Sequence, residues 1–201
     1  MTDMKATITA VAVDLFFRKG YFATSMSEIA RGCGIQKASI YYHFPGKEEL
    51  LFGIMHATMQ DLLAHLECNL DRATGIENQL RAAVRSHVRF HLERQQETFI
   101  ASSELRGLSP EHGTIVVAQR DAYERIFQGL IHQGIDQGVY SSGDVRILSY
   151  AILTLCTAGA SWFRSDGRLT MDAIADIYEN FVLNGLKAEH QTLRYGHVGI
   201  Q

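Results

Sequence analysis

The sequence predicts an all-α fold of about nine helices, divided into an N-terminal three-helix bundle and a larger C-terminal helical domain. Three observations lead there. Apolar residues recur at three- and four-residue spacing in successive segments from Asp3 to about Lys187. Glycine-bearing breaks and Ser, Thr or Asp caps separate those segments. Only two prolines, Pro45 and Pro110, interrupt 201 residues, and β-branched runs are short.

The first helix spans about Asp3 to Lys19, with Ile8, Val11, Ala12, Leu15 and Phe16 on one face and Gly20 as its stop. From Thr24 to Leu50 the signals become dense. Ser25 and Glu28 form an S-x-x-E capping box, and Met26, Ile29 and Ala30 make a short apolar face. Gly32-Cys33-Gly34 ends that helix, since glycine accepts left-handed backbone. Another short helix runs through Lys37 to His43, ended by Phe44 and Pro45-Gly46. Phe16, Phe22, Ile29, Ile40 and Phe44 are the expected core of this small domain. Two short helices about a glycine turn make a helix-turn-helix, whose second helix can enter the DNA major groove.

The pattern I-A-x-x-x-G-I, then S-I-Y-Y-H-F, then K-E-E-L-L resembles the N-terminal domain of TetR/AcrR bacterial transcriptional regulators from about Lys5 to Leu51. Two positions depart from it: Gln36 stands where a Ser, Thr or Asp cap is usual, and Ala38 where glycine is common. Carried over residue by residue, the resemblance implies that Gln36, Lys37, Ser39, Tyr41, Tyr42 and His43 form the DNA face. Lys37 can reach guanine acceptors, Ser39 base edges or phosphate, and Tyr41 and His43 phosphate oxygens. Lys47 and the Ser25 hydroxyl are further expected phosphate contacts.

The fourth helix runs from Lys47 to about Leu70 on a stripe of Leu50, Leu51, Ile54, Met55, Thr58, Leu62, Leu63 and Leu66. It begins inside the first domain with no Gly/Ser/Pro linker, so it is the expected mechanical connection. A fifth helix is expected over Ile76 to Gln96 and a sixth over Thr98 to Leu105. Ser109 caps a seventh, with Pro110 at its first position, reaching about Gln137. In that helix Arg120, Asp121, Glu124, Arg125 and Gln128 fall opposite the apolar set.

Asp144 caps an eighth helix, to about Phe163, that is apolar almost all round. It approaches membrane-spanning length, but Arg146 and scattered hydroxyls make a covered soluble helix the better reading, with no membrane partner. Thr170 caps a ninth helix carrying Ile174, Ile177, Tyr178, Phe181, Val182 and Leu186. The eighth and ninth helices are expected to form a four-helix homodimer interface, as the resemblance also implies. The expected domains are a helix-turn-helix unit at 1–48, an effector-binding and dimerisation unit at 49–187, and a polar tail at 188–201.

The net charge is −3, yet residues 1–50 carry +1 and the rest −4, so a DNA signal rests on placement rather than bulk charge. Three scattered cysteines, Cys33, Cys68 and Cys156, read as reduced thiols of a cytoplasmic protein. The N-terminus lacks a signal cleavage site, and Asp14 interrupts its apolar run. His87 and His91 have the i, i+4 spacing of paired metal ligands, but nothing completes a site, and no metal or cofactor is assigned. Gly32-x-Gly34 and Gly159-Ala160-Ser161 lack the strands that nucleotide or nucleophile motifs need, so catalysis is not expected.

FIASSELRGL, RDAYERIF and SWFRSDGRLT resemble, less specifically, C-terminal domains of TetR-type regulators of acyl-CoA and lipid catabolism. An apolar cavity for a small hydrophobic or acyl-type effector is then expected, lined by Phe52, Met55, Met59, Phe90, Phe99, Ser103, Tyr123, Phe127, Cys156 and Trp162. The simpler alternative for these residues is plain core. The expected function is a ligand-responsive homodimeric repressor on a near-palindromic double-stranded operator. The competing reading is a helix-turn-helix module without an effector, controlled by a protein partner, whose C-terminal core would be filled.

Overall fold

A computed structural model describes residues 3–188, so the expected tail lies almost wholly outside the described residues. Nine α-helices occur among them: α1 (Met4–Lys19), α2 (Met26–Gly32), α3 (Lys37–His43), α4 (Lys47–Leu70), α5 (Ile76–Glu93), α6 (Gln95–Ser103), α7 (Pro110–Asp136), α8 (Val145–Trp162) and α9 (Met171–Leu186). A 3-10 turn, Leu105–Gly107, joins α6 to α7. The expected boundary between the fifth and sixth helices moves N-terminally. Arg94 leaves helical geometry (φ −119, ψ 48), so α5 stops at Glu93 and α6 opens at Gln95.

Side-chain caps start the helices where the sequence signals them. Ser109 Oγ accepts from the His112 N–H at 3.2 Å, Thr170 from Ala173, and Asp144 from both Arg146 and Ile147. Gly34, at φ +68, turns the chain between α2 and α3 while the Ile35 N–H reaches back to the Ala30 carbonyl at 3.0 Å.

Two buried clusters hold the fold. The first gathers Ile8, Phe16, Ile29, Ile40, Leu50, Leu51 and Met55 from α1 to α4, together with Ile100 and Ala101 of α6 and Val116 of α7. The second centres on α5, with Leu80, Val84 and Val88 packed against Leu62 and Leu66 of α4, Phe127 and Ile131 of α7, Ile152 of α8 and Val182 of α9. Helix α4 therefore belongs to both cores. Charge also fixes α9 on α5: Glu179, itself buried, receives Arg81 at 3.0 Å and Arg85 at 3.2 Å, while Asp172 receives Arg89 at 2.8 Å.

One expected core residue is not in the core. Phe22 is 70% exposed. In the turn after α1, Tyr21 takes the inward place, edge-on to Phe16 with centroids 5.3 Å apart, and its neighbour Phe22 is turned outward.

The 3-10 turn packs onto the first core at Gly107, where a Cβ would come within 2.7 Å of the Tyr21 ring and 2.8 Å of Leu51 Cδ2. A Gly107→Ala protein should lose about 1–3 kcal/mol, the usual cost of overpacking. Urea denaturation checks this; an unchanged midpoint would show that Tyr21 and Leu51 yield freely.

Candidate nucleic-acid interface and ligand cavity

Helix α3 is held by one buried side chain, Ile40, and its remaining surface faces out. Gln36, Lys37, Ser39, Tyr41 and Tyr42 are exposed, Tyr42 at 88%, and His43 is half-buried with its ring edge-on to Tyr42. Gln36 makes no side-chain cap, as its departure from Ser, Thr or Asp suggests.

The other two expected DNA contacts are committed within the fold. Ser25 completes its capping box: Glu28 N–H donates to Ser25 Oγ at 3.2 Å, and Ser25 N–H donates to Glu28 Oε2 at 2.9 Å. Lys19 donates to the same carboxylate at 2.9 Å, and Lys19 and then Ser25 pull the Glu28 pKa down to about 2. Lys47 donates to the Tyr21 and Thr24 carbonyls at 2.8 and 2.7 Å, with its ammonium 4.3 Å from the Tyr21 ring centroid. Those bonds tie the start of α4 to the chain entering α2. Lys47 thus positions the helix-turn-helix, and its ammonium is turned to protein carbonyls rather than outward.

A cavity of about 490 Å³ lies among α4, α5, α6, α7 and α8, within the size range of small-molecule sites. Of the ten expected lining residues, Met59 and Tyr123 line it. Phe127, Phe90, Cys156 and Met55 are buried in the cores instead. Phe52 stacks on His112 at the domain junction, with ring centroids 3.8 Å apart. Phe99 packs edge-on against Phe17, Ser103 caps back to the Phe99 carbonyl, and Trp162 is exposed at the end of α8. Size and hydrophobicity alone select core residues as readily as lining.

The cavity wall is more polar than expected. His87 and His91 line it, fully withdrawn from the surface, with ring centroids 4.1 Å apart. His87 bonds Tyr123 Oη through Nδ1 and Thr157 Oγ1 through Nε2, each at 3.0 Å, and His91 Nδ1–H donates to the His87 carbonyl at 2.9 Å. Arg120 and Glu124, assigned by periodicity to the outer face of the seventh helix, also line the cavity. The i, i+4 histidine spacing was the visible signal; its use is polar lining. Among the described residues, the group with metal-ligand proximity is instead Glu48, Glu49 and His112. There the Glu48 carboxylate already accepts from the Ser109 N–H at 2.8 Å and meets His112 Nδ1 at 2.9 Å.

Outside this framework, α8 and α9 leave Ile147, Tyr150, Leu155, Trp162, Ile177 and Phe181 uncovered. By length and composition α8 is apolar enough to cross a membrane, and only 22% of it is buried within the chain.

An exposed helix-turn-helix reading helix joined by one rod to a cavity-bearing helical domain defines a DNA-binding transcriptional regulator. Residues 8–54 match the family described as bacterial regulatory proteins, tetR family, and residues 73–186 match the tetracyclin repressor-like C-terminal domain. The chain belongs to the tetR family of bacterial regulatory proteins. It is 26% identical to the HTH-type transcriptional repressor KstR2 of Rhodococcus jostii, covering 90% of this chain and 89% of that one. It is 22% identical to the fatty acid metabolism regulator protein of Bacillus subtilis, covering 89% and 93%. A crystal structure of AibR in complex with isovaleryl coenzyme A and operator DNA superposes with TM-score 0.82 at 28% identity, covering 89% of this chain and 97% of that one.

The buried histidine pair makes stability depend on pH. Burial, then His91, pushes His87 well below its usual value of 6.5, and burial brings His91 down to about 4. The unfolded chain therefore binds more protons below pH 6.5, so this stability is complete above 6.5 and is lost as pH falls toward about 4. The loss should be on the order of 1 kcal/mol per pH unit for each histidine. Denaturation of wild type and His91→Phe at pH 7 and pH 5 measures it; equal slopes would rule out His91 as a contributor.

Proposed function

We propose that the chain is a homodimeric, ligand-responsive repressor. Two α3 helices read a near-palindromic operator with half-sites about one helical turn apart. A small apolar or acyl-type effector in the cavity releases it. The observation carrying this reading is the pairing of an outward polar α3 with a cavity in the C-terminal helices through one continuous helix, α4, which supplies Thr58, Met59 and Leu62 to the cavity wall. Support for an acyl-type effector comes from the isovaleryl coenzyme A bound by AibR and from the resemblance to a regulator of fatty acid metabolism.

Gln36, Lys37, Ser39, Tyr41, Tyr42 and His43 make the DNA face in this reading, and the helix-turn-helix unit (1–48) is worked by the effector and dimerisation unit (49–187). The uncovered apolar residues of α8 and α9 form the dimer contact, which removes them from water without a membrane. The protein then works in the cytoplasm. A DNA-binding module lacking an effector is disfavoured by the cavity itself.

Motion in the cavity has a short route to α3. Helices α6 and α7 line the cavity and also meet the reading domain: Glu104 accepts from the Tyr21 N–H at 3.3 Å, and Glu48 of α4 holds Ser109 and His112 at the α7 start. Displacement of α6 or α7 changes the tilt of α4 and the spacing of the paired reading helices.

Tyr42→Ala should keep its dimer and its melting temperature while weakening operator binding about tenfold or more, the scale of a good base or phosphate contact. Electrophoretic mobility shift with the protein's own promoter DNA tests it, and undiminished binding would reject α3 as the reader. Phe181→Glu should produce a monomer by analytical ultracentrifugation and weaken operator binding with it. A Phe181→Glu protein that sediments as a dimer would move the interface elsewhere.

A further inference from the structure

We propose that Glu48, Glu49 and His112 hold a divalent transition-metal ion, of the zinc or nickel type, at the seam between the reading domain and the C-terminal helices. Two elements deliver the donors: Glu48 and Glu49 lie in the first turn of α4, and His112 in the first turn of α7. One ligand atom from each lies within 4.8 Å of the other two. An ion sits about 2.0–2.2 Å from imidazole nitrogen and carboxylate oxygen, so small side-chain adjustments bring all three donors onto one ion.

Acidic residues in the first turn of a helix are ordinary in themselves, because the dipole favours negative charge there. Glu48 also has a structural task, accepting from the Ser109 N–H at 2.8 Å. Two observations go beyond that account. The carboxylates are neighbours, yet among the described residues no Lys or Arg pairs with either, and Lys47 spends its ammonium on the Tyr21 and Thr24 carbonyls. Glu49 is exposed and makes no hydrogen bond or ion pair among the described residues, so its carboxylate is free to turn to the seam. The second observation is an imidazole brought from another helix and already fixed in plane. The His112 ring lies flat on Phe52, with centroids 3.8 Å apart and planes 5° from parallel, and its backbone N–H is capped by Ser109 Oγ at 3.2 Å. Supports of this kind orient ligands before an ion arrives.

His112 Nδ1 faces Glu48, 2.9 Å from Oε1 and 3.1 Å from Oε2. In the tautomer with its proton on Nε2, Nδ1 turns a lone pair to the carboxylates, and the ion takes the bridging place. A mixed imidazole and carboxylate set suits zinc or nickel, whereas calcium and magnesium take oxygen ligands. Water completes the coordination from the exposed Glu49 side. Such an ion ties the start of α4, which carries Lys47, to the start of α7, which lines the cavity further along through Arg120 and Tyr123. Its binding does not depend on what the cavity holds.

Cobalt titration of the full-length, untagged, chelator-treated protein tests the site, since Co²⁺ held by nitrogen and carboxylate shows a visible d–d band. Wild type should take up one equivalent per protomer, displaced by Zn²⁺. Glu49→Gln and His112→Gln should each weaken uptake about tenfold or more. His132→Gln controls for the other surface histidines, because His132 lies 3.1 Å from Asp136 on α7, and it should bind as wild type does. Zn²⁺ should also slow amide exchange at the first turns of α4 and α7 in wild type and leave Glu49→Gln unchanged. If His112→Gln does not fold by circular dichroism, Glu49→Gln carries the test, having no contact to lose. A wild type that shows no saturable band, or uptake undiminished in Glu49→Gln, would overturn the proposal. So would uptake abolished by His132→Gln.

Discussion

One helix has to satisfy two cores. Helix α4 buries Leu50, Leu51, Ile54 and Met55 among α1 to α3 and then Met59, Leu62 and Leu66 against α5 and α7. With 24 residues at 1.5 Å rise it is a rod of roughly 36 Å, helical throughout and unbroken at Gly53. Neither core can shift without carrying the other. Its first turn is also the most heavily tied: Lys47 to two carbonyls before α2, and Glu48 to the start of α7. Packed interiors resist gradual deformation, so such a rod passes on a tilt rather than absorbing it.

The C-terminal core shows the opposite economy around α5. One face of that helix is Leu80, Val84 and Val88, while His87 and His91 carry polarity into the interior beside the cavity. Buried imidazoles held neutral are expensive unless their nitrogens are partnered. His87 meets the condition with Tyr123 and Thr157, and His91 meets half of it within its own helix. The arrangement leaves a shaped space whose wall mixes apolar side chains with polar ones, the character of a site that selects its ligand by orientation as well as size.

The fold was legible because its signals are local. The Ser25–Glu28 capping box, Ser109 followed by Pro110, and the Asp144 and Thr170 caps all form as their chemistry requires. The exposed surface of α3 was legible for a similar reason, since a seven-residue helix with one buried anchor leaves little ambiguity. The cavity was not. Helical periodicity sorts residues into inward and outward, but a cavity adds a third destination, and Arg120 and Glu124 occupy it from what reads as the outer face of α7. Conversely Phe127 and Phe90, chosen for bulk, fill the core because nothing in spacing distinguishes a side chain that packs from one that bounds a void. Lys47 carries a similar lesson. Its charge suggested phosphate, and only the fold reveals two backbone carbonyls waiting within its reach.

The energetic demand on the proposed switch is small. A coupling of about 1–3 kcal/mol between effector and operator suffices for a 5- to 150-fold change in affinity. That is comparable to one or two hydrogen bonds to charged groups, and the junction contains several of that kind: Glu48 with Ser109 and His112, and Glu104 with the Tyr21 N–H. An occupant needs only to favour one setting of these bonds over another. Because α6 and α7 contribute both to the cavity wall and to the first core, through Ala101 and Val116, the same displacement that accommodates a ligand must be felt where α3 is seated. In the proposed dimer each protomer carries such a linkage, and a modest tilt at each α4 adds to its counterpart across the twofold axis. The separation of the reading helices is then the quantity most sensitive to what the cavity holds.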